Sequence, residues 1–259
     1  LTTFAYLGIA YLIVTVVASL FMKNPEEGWK PEGWVPTASE TKQRAGHDFT
    51  LGEALRTWQW YALWLLLFLN TFAGISIISQ EAPIFQELVG VSAVVAASMV
   101  GIASIGNAFG RVFWAWVSDI LTRRLTFVVM FLLQIVLFWL LPGVSVVALM
   151  TFLTFVILMC YGGGFGTMPA FAADYFGARN VGPIYGLMLT AWGVASAVGP
   201  LLIAYMREST GSYASALHVI AGVMLVSTLL PIVVSRPKPL ASDRTPRAGA
   251  GARPHPIQS

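Results

Sequence analysis

Residues 144–168 read VSVVALMTFLTFVILMCYGGGFGTM, a run without a single formal charge. A helix rises about 1.5 Å per residue, and about 20 predominantly apolar residues cross the roughly 30 Å hydrocarbon core of a bilayer. The run is therefore long enough to span a membrane. Working outward, six more stretches meet the same test: Phe4 to Met22, Trp58 to Gln80, Ala93 to Val117, Leu125 to Leu141, Val181 to Met206 and Ala214 to Val234. The stretch from Leu125 is short, and only Pro142-Gly143 separates it from the opening run. The chain is 57% hydrophobic and 10% charged, where a soluble domain is about one quarter charged. These observations predict an all-α membrane protein of about seven transmembrane helices.

Loops between the spans carry the topology. Placing the long loop after Met22 on the cytoplasmic side puts 13 of the 15 basic residues there, among them Arg56, Arg123, Arg124, Arg179 and Arg236. Lys and Arg favour cytoplasmic loops, so the amino terminus is expected outside and the tail inside, in a plasma (inner) membrane. The expected organisation is one span over 1–22, a central cytoplasmic loop over 23–57, a six-helix bundle over 58–234 and a disordered tail over 235–259. In the loop, Trp29 and Trp34 are candidate interfacial anchors. Thr50, with Glu53 three residues on, predicts a capped short helix leading into the second span. The chain opens without Met and without a basic region before its first apolar run, which reads as a fragment.

Several function classes lose support from residue types. The single cysteine, Cys160, lies in an apolar run, and His47, His218 and His255 are scattered, so no metal-ligand spacing is present. Gly162-Gly163-Gly164-Phe165-Gly166 lacks the Lys and the strand context of a phosphate loop. It predicts close helix packing or a flexible cavity lining. An intramembrane enzyme would need paired acids or Ser/Lys or His clusters within the spans. No cofactor, metal or nucleic-acid partner is expected. All 12 acidic residues are expected in loops, the tail or at span ends.

Arg111 is the one charge set well inside a span, eight residues or about 12 Å from Asp119 at the expected helix end. An arginine at mid-membrane costs at least about 2.5–3.5 kcal/mol on insertion scales. Three arrangements would relieve that cost: a bound substrate anion, an acid on an absent half, or snorkelling to the interface. Asn107, one turn earlier, and Ser104 extend the same helical face. Gly106 and Gly110 form a small-xxx-small pattern suited to close packing. Tyr161 and Phe165 share one face of the fifth span, as do Tyr185 and Trp192 on the sixth. Those aromatics either pack, meet lipid or line a cavity. Asn70, Gln80 and Gln134 are further cavity candidates.

Three stretches make the chain resemble the major facilitator superfamily and, within it, the oxalate/formate antiporter family. Gly28-Trp29-Lys30-Pro31-Glu32-Gly33-Trp34 is similar to the family's central-loop signature. Gly110-Arg111 through Ser118-Asp119 to Arg123-Arg124 resembles the superfamily's cytoplasmic loop motif. Gly162 through Asp174-Tyr175-Phe176-Gly177, with Gly186 through Ala195, is similar to the tenth and eleventh helices. The resemblance implies that the seven spans correspond to helices 6–12, a carboxy-terminal half whose partners are the bilayer, a small carboxylate anion and a missing amino-terminal half. The loop motif departs from its usual form at Ala115, Ile120 and Thr122.

In oxalate exchangers of that family an arginine on the eighth helix and a lysine on the eleventh hold the dicarboxylate. Arg111 matches the arginine, and uncharged Trp192 stands at the lysine position. The resemblance thus implies a monocarboxylate more readily than oxalate. The proton-coupling aspartate of the related monocarboxylate transporters falls at Asn107, which cannot titrate, so the resemblance implies exchange unless the missing half supplies a proton site. Arg111, Asn107, Trp192, Tyr161, Phe165 and Tyr185 are the implied substrate-binding residues, and Asp119, Arg123 and Arg124 the gating loop. The implied activity is secondary active transport of small organic anions by alternating access. A transport-inactive carboxylate sensor on the same bundle is the alternative.

Overall fold

The computed structural model describes residues 2–23, 33 and 47–238, in two compact units, Leu1–Lys42 and Gln43–Ser259. The first unit contributes one long helix, α1 (Thr2–Phe21). The tryptophan-bearing segment 28–34, apart from Gly33, and the tail beyond Lys238 lie outside the described residues.

In the second unit the described residues are helical apart from short connections. Thr50 caps the one-turn helix α2 (Leu51–Ala54) with a complete capping box: Glu53 N–H donates to Thr50 Oγ1 at 3.3 Å, and Thr50 N–H donates to Glu53 Oε2 at 2.6 Å. Then come α3 (Trp58–Val89), α4 (Ala93–Ile120), α5 (Arg123–Leu140), a 3₁₀ turn at Leu141–Gly143 and α6 (Val147–Phe176). The expected sixth span divides into α7 (Val181–Met188) and α8 (Thr190–Thr210), and the seventh into α9 (Tyr213–Ser227) and α10 (Leu229–Val233). Seven helical segments, α1 included, are long and apolar enough to cross a membrane. Helices satisfy their own backbone hydrogen bonds, which hydrocarbon cannot do for them.

Connections are tight and chemically marked. Gly90 after α3 and Gly211 after α8 take φ of 72° and 76°, left-handed values that a residue with a Cβ resists. Ser92 and Ser212 then cap the next helices by accepting from Val95 N–H and Ala214 N–H. These turns define one end of the bundle, the turn end. At the other, Phe49 N–H donates to Phe176 O at 2.8 Å and Asn180 Nδ2 to Phe49 O at 2.9 Å, which ties the segment before α2 to the α6–α7 connection. This is the loop end.

α4 and α6 make the closest crossing. A Cβ added at Gly106 or Gly110 would strike the backbone carbonyls of Phe155 or Met159, and one at Gly162 or Gly166 those of Asn107 or Arg111. The glycine run is continuous α-helix, so of the two expected roles it serves packing. On its other side α6 meets α3, where the Tyr161 ring fills the space over Gly74 and Asn70 lies against Gly164. The core is completed by Phe127, Phe131, Phe138, Phe171 and Phe176, all fully buried.

Gly110→Ala should therefore lower the thermal midpoint of the detergent-solubilised protein by the equivalent of about 1–3 kcal/mol, the usual cost of overpacking. Gly101→Ala, on the same helix but with open space at its Cβ position, should leave the midpoint unchanged.

Candidate functional site

Arg111 projects from α4 toward α6, and its Cζ lies 5.3 Å from the centre of the Phe165 ring. That distance is within the range of a cation–π contact. Phe165 packs edge-on against Tyr161 at 5.3 Å and against Trp192 of α8 at 6.2 Å. Arg111, Phe165, Tyr161 and Trp192, four of the six expected binding residues, thus converge from α4, α6 and α8 on one patch. Tyr161 is buried, Phe165 and Tyr185 are half-buried, and Trp192 and Arg111 are exposed. Among the described residues no carboxylate pairs with Arg111.

Local backbone explains how Trp192 reaches this patch. At Leu189 the helix breaks, and Trp192 N–H donates to Leu189 O at 3.0 Å, a tighter turn than the α-helical one. Thr190 Oγ1 donates to Leu187 O at 2.8 Å and accepts from Trp64 Nε1 of α3 at 2.9 Å. Trp64 stacks on Phe68, and Phe68 on Phe72, so an aromatic column on α3 supports the break.

Asn107, another of the six, sits at the α4–α6 crossing beside Gly162, with its Oδ1 buried and without a hydrogen-bond partner. Asn70 and Gln134 are fully buried rather than cavity-lining: Gln134 Nε2 donates to Asn70 Oδ1 at 3.5 Å, and Asn70 Nδ2 donates to Tyr161 O at 3.2 Å. That cluster ties α5 and α3 to the α6 turn that carries Tyr161.

The expected gating residues meet at the loop end. Arg123, the first residue of α5, pairs with Asp119 at 2.6 Å and with Asp174 of α6 at 3.2 Å, and it donates to the Ser118 hydroxyl. Arg124 donates to the carbonyls of Pro231 and Ile232 at the end of α10, where a cation also complements the helix dipole. Tyr175 Oη donates to Val234 O at 3.2 Å.

At the turn end α3 continues nine residues beyond Gln80, so Glu81 and Glu87, at the expected end of that span, lie on the helix itself. Glu87 pairs with Arg207 at 2.6 Å and accepts from Tyr213 N–H at 3.0 Å. Glu81 is 2% exposed, and among the described residues its Oε1 has no hydrogen-bond partner. Ile77, Glu81, Ile84 and Phe85, at helical spacing, are the sequence signal that the helix continues past the charge.

Comparison with known proteins gives this geometry a family. The sequence profile of the Major Facilitator Superfamily matches residues 2–200 and 92–258. The chain belongs to that superfamily. It is 27% identical over 210 residues to the oxalate:formate antiporter of Oxalobacter formigenes, covering 80% of this chain and 48% of that protein. It is 26% identical over 199 residues to the MFS-type transporter YhjX of Escherichia coli (strain K12), covering 75% and 46%. The chain thus spans about half the length of the curated relatives it matches. A solved structure of a bacterial homologue of the human lysosomal transporter Spinster, inward-facing and unoccupied, superposes with a TM-score of 0.50 at 16% identity, covering 90% of this chain and 56% of that one. This major facilitator chain is an integral membrane protein, with the helical fold the sequence predicts.

Arg123→Ala should remove the Arg123 bridge from Asp119 and Asp174 and lower the thermal midpoint by the equivalent of about 1.5–3 kcal/mol, the range for hydrogen bonds to charged groups. Asp119→Asn should cost less, because Asp119 is exposed and its pair is screened by solvent.

Proposed function

We propose that this chain is the carboxy-terminal half of a secondary transporter that moves small organic anions, monocarboxylates in preference to oxalate, by alternating access. The observation that carries this reading is Arg111: a guanidinium on a membrane helix, turned toward an aromatic patch and free of any described carboxylate. A charge so placed needs an anionic partner or water, and a bound carboxylate supplies the first.

In this reading Arg111 holds the carboxylate, and the Asn107 amide, one helical turn away, orients it. Phe165, Tyr161, Trp192 and Tyr185 wall the pocket and keep water from the ion pair, which strengthens it. An amino-terminal half of the same transporter supplies the opposing wall. Trp192 fills the place where a second cation would be needed to neutralise a dicarboxylate, and this supports a monovalent substrate. At the loop end, the bridges of Arg123 to Asp119 and Asp174 hold α4, α5 and α6 together in one state of the cycle and loosen in the other. That end faces the cytoplasm, in keeping with its basic residues. The similarity to a protein named an oxalate:formate antiporter supports the anion class.

The test uses the whole transporter in liposomes loaded with formate, lactate or oxalate. Arg111→Ala should abolish saturable exchange of all three, and intact exchange would remove the anion site. Trp192→Lys should raise oxalate uptake relative to the monocarboxylates, and an unchanged ratio would remove the account of selectivity.

A further inference from the structure

Glu81 is the group that neither the fold nor the anion site uses. It lies on the stripe of α3 that is buried throughout, Asn70, Gly74, Ile77, Glu81, Ile84 and Phe85, and it is itself 2% exposed. Among the described residues its Oε1 has no hydrogen-bond partner, and no ion pair includes it. The position is eight residues, about 12 Å, from the turn end of α3. An ionised carboxylate without a partner is strongly disfavoured in such surroundings, whereas a neutral carboxylic acid is tolerated.

The backbone beside it is broken. Gln80 leaves helical geometry at φ −126° and ψ 16°, and Pro83 removes a backbone donor three residues on. The segment from Glu81 to Val89 is thus a separate lever on a joint at Gln80. What fastens it is polar and close to solvent: Tyr213 Oη donates to Gln80 Oε1 at 3.0 Å, and Glu87 grips Arg207 and Tyr213 N–H. Pro83, Gln86, Glu87, Arg207 and Tyr213 line a cleft of about 670 Å³ against this lever. The cleft therefore lies one helical turn from the joint.

We propose that Glu81 is a proton-binding site of the transport unit: it holds a proton while the turn end is packed as described and releases it when the lever opens at Gln80. The proposal rests on the transport reading above and adds a proton to the cargo of the cycle. The proton leaves the Glu81 carboxyl for water in the cleft, and the carboxylate formed is stable only while water reaches it. Reclosing requires a proton to return.

Charged and titratable groups on the surrounding helices do not substitute for that proton. On α8 the charges at this end are Arg207, already held by Glu87, and Glu208. On α9 they are Tyr213, bonded to Gln80, and His218, stacked on Trp139. α4 over 93–106, α6 over 147–159 and α5 beyond Arg124 carry no charged residue. α7 and α10, which also touch α3, lie at the loop end, where Tyr185 is the titratable group.

The test is substrate-free at first. Infrared titration of the whole transporter in liposomes should reveal a protonated-carboxyl stretch that disappears toward alkaline pH. It should be missing in Glu81→Gln, a neutral isostere of the protonated acid, and present but shifted in Glu81→Asp. Identical titrations for the wild type and E81Q would overturn the proposal. Flux is the second readout: E81Q should retain acid-pH exchange and lose at least tenfold of the wild type's variation with pH, and superimposable pH profiles would also overturn it. If the anion site fails its own test at Arg111, the infrared band persists, so the two failures are told apart.

Discussion

Backbone contact between α4 and α6 sets how Arg111 meets Phe165 at the aromatic patch. Two helices with ordinary side chains at their crossing stand 8–10 Å apart. Here four glycines let carbonyls of each helix reach into the other. Lipid tails are as apolar as leucine, so burial alone gives membrane helices little reason to associate, and close van der Waals contact has to supply the attraction. The same crossing fixes Arg111 relative to Phe165: Gly166 lies against the Arg111 backbone, so the guanidinium and the ring begin from adjoining turns.

Polar groups then divide by depth. The middle holds hydrogen bonds that close on themselves, Asn70 with Gln134 and with the Tyr161 carbonyl. Charged pairs are kept to the ends, Arg123 with its two aspartates and Arg207 with Glu87. Among the described residues two side chains of formally charged type depart from this scheme, Arg111 and Glu81. In a low-dielectric medium an uncompensated charge is costly enough that a side chain of this kind points to a binding event.

Much of this was legible in residue order alone. Apolar length gave the helices, and helical spacing gave the shared face of Tyr161 and Phe165 as well as the alignment of Gly106 and Gly110. Other features depend on tertiary contact and leave no local trace. Nothing near Trp192 in the chain says that its ring meets Phe165, since that depends on how α8 crosses α6. Asn70 and Gln134 read as cavity residues because buried and pore-lining amides look alike until a partner is known. The length of α3 is a different case: a hydropathy reading stops at a charge, whereas a helix stops only where its backbone is capped, here at Gly90. The resemblance to transporters of one family supplied roles that spacing could not.

The Thr190 hydroxyl carries a single proton, which gives the chain from the Trp64 indole to the Leu187 carbonyl one sense only. Hydrocarbon offers no water to take the place of either neighbour. The irregular turn at Leu189 is thus not a private property of its own helix, because its stitching depends on a side chain from α3. Moving the Trp64 turn of α3 along its axis would unpick that stitch, so the two helices are held in register at this level.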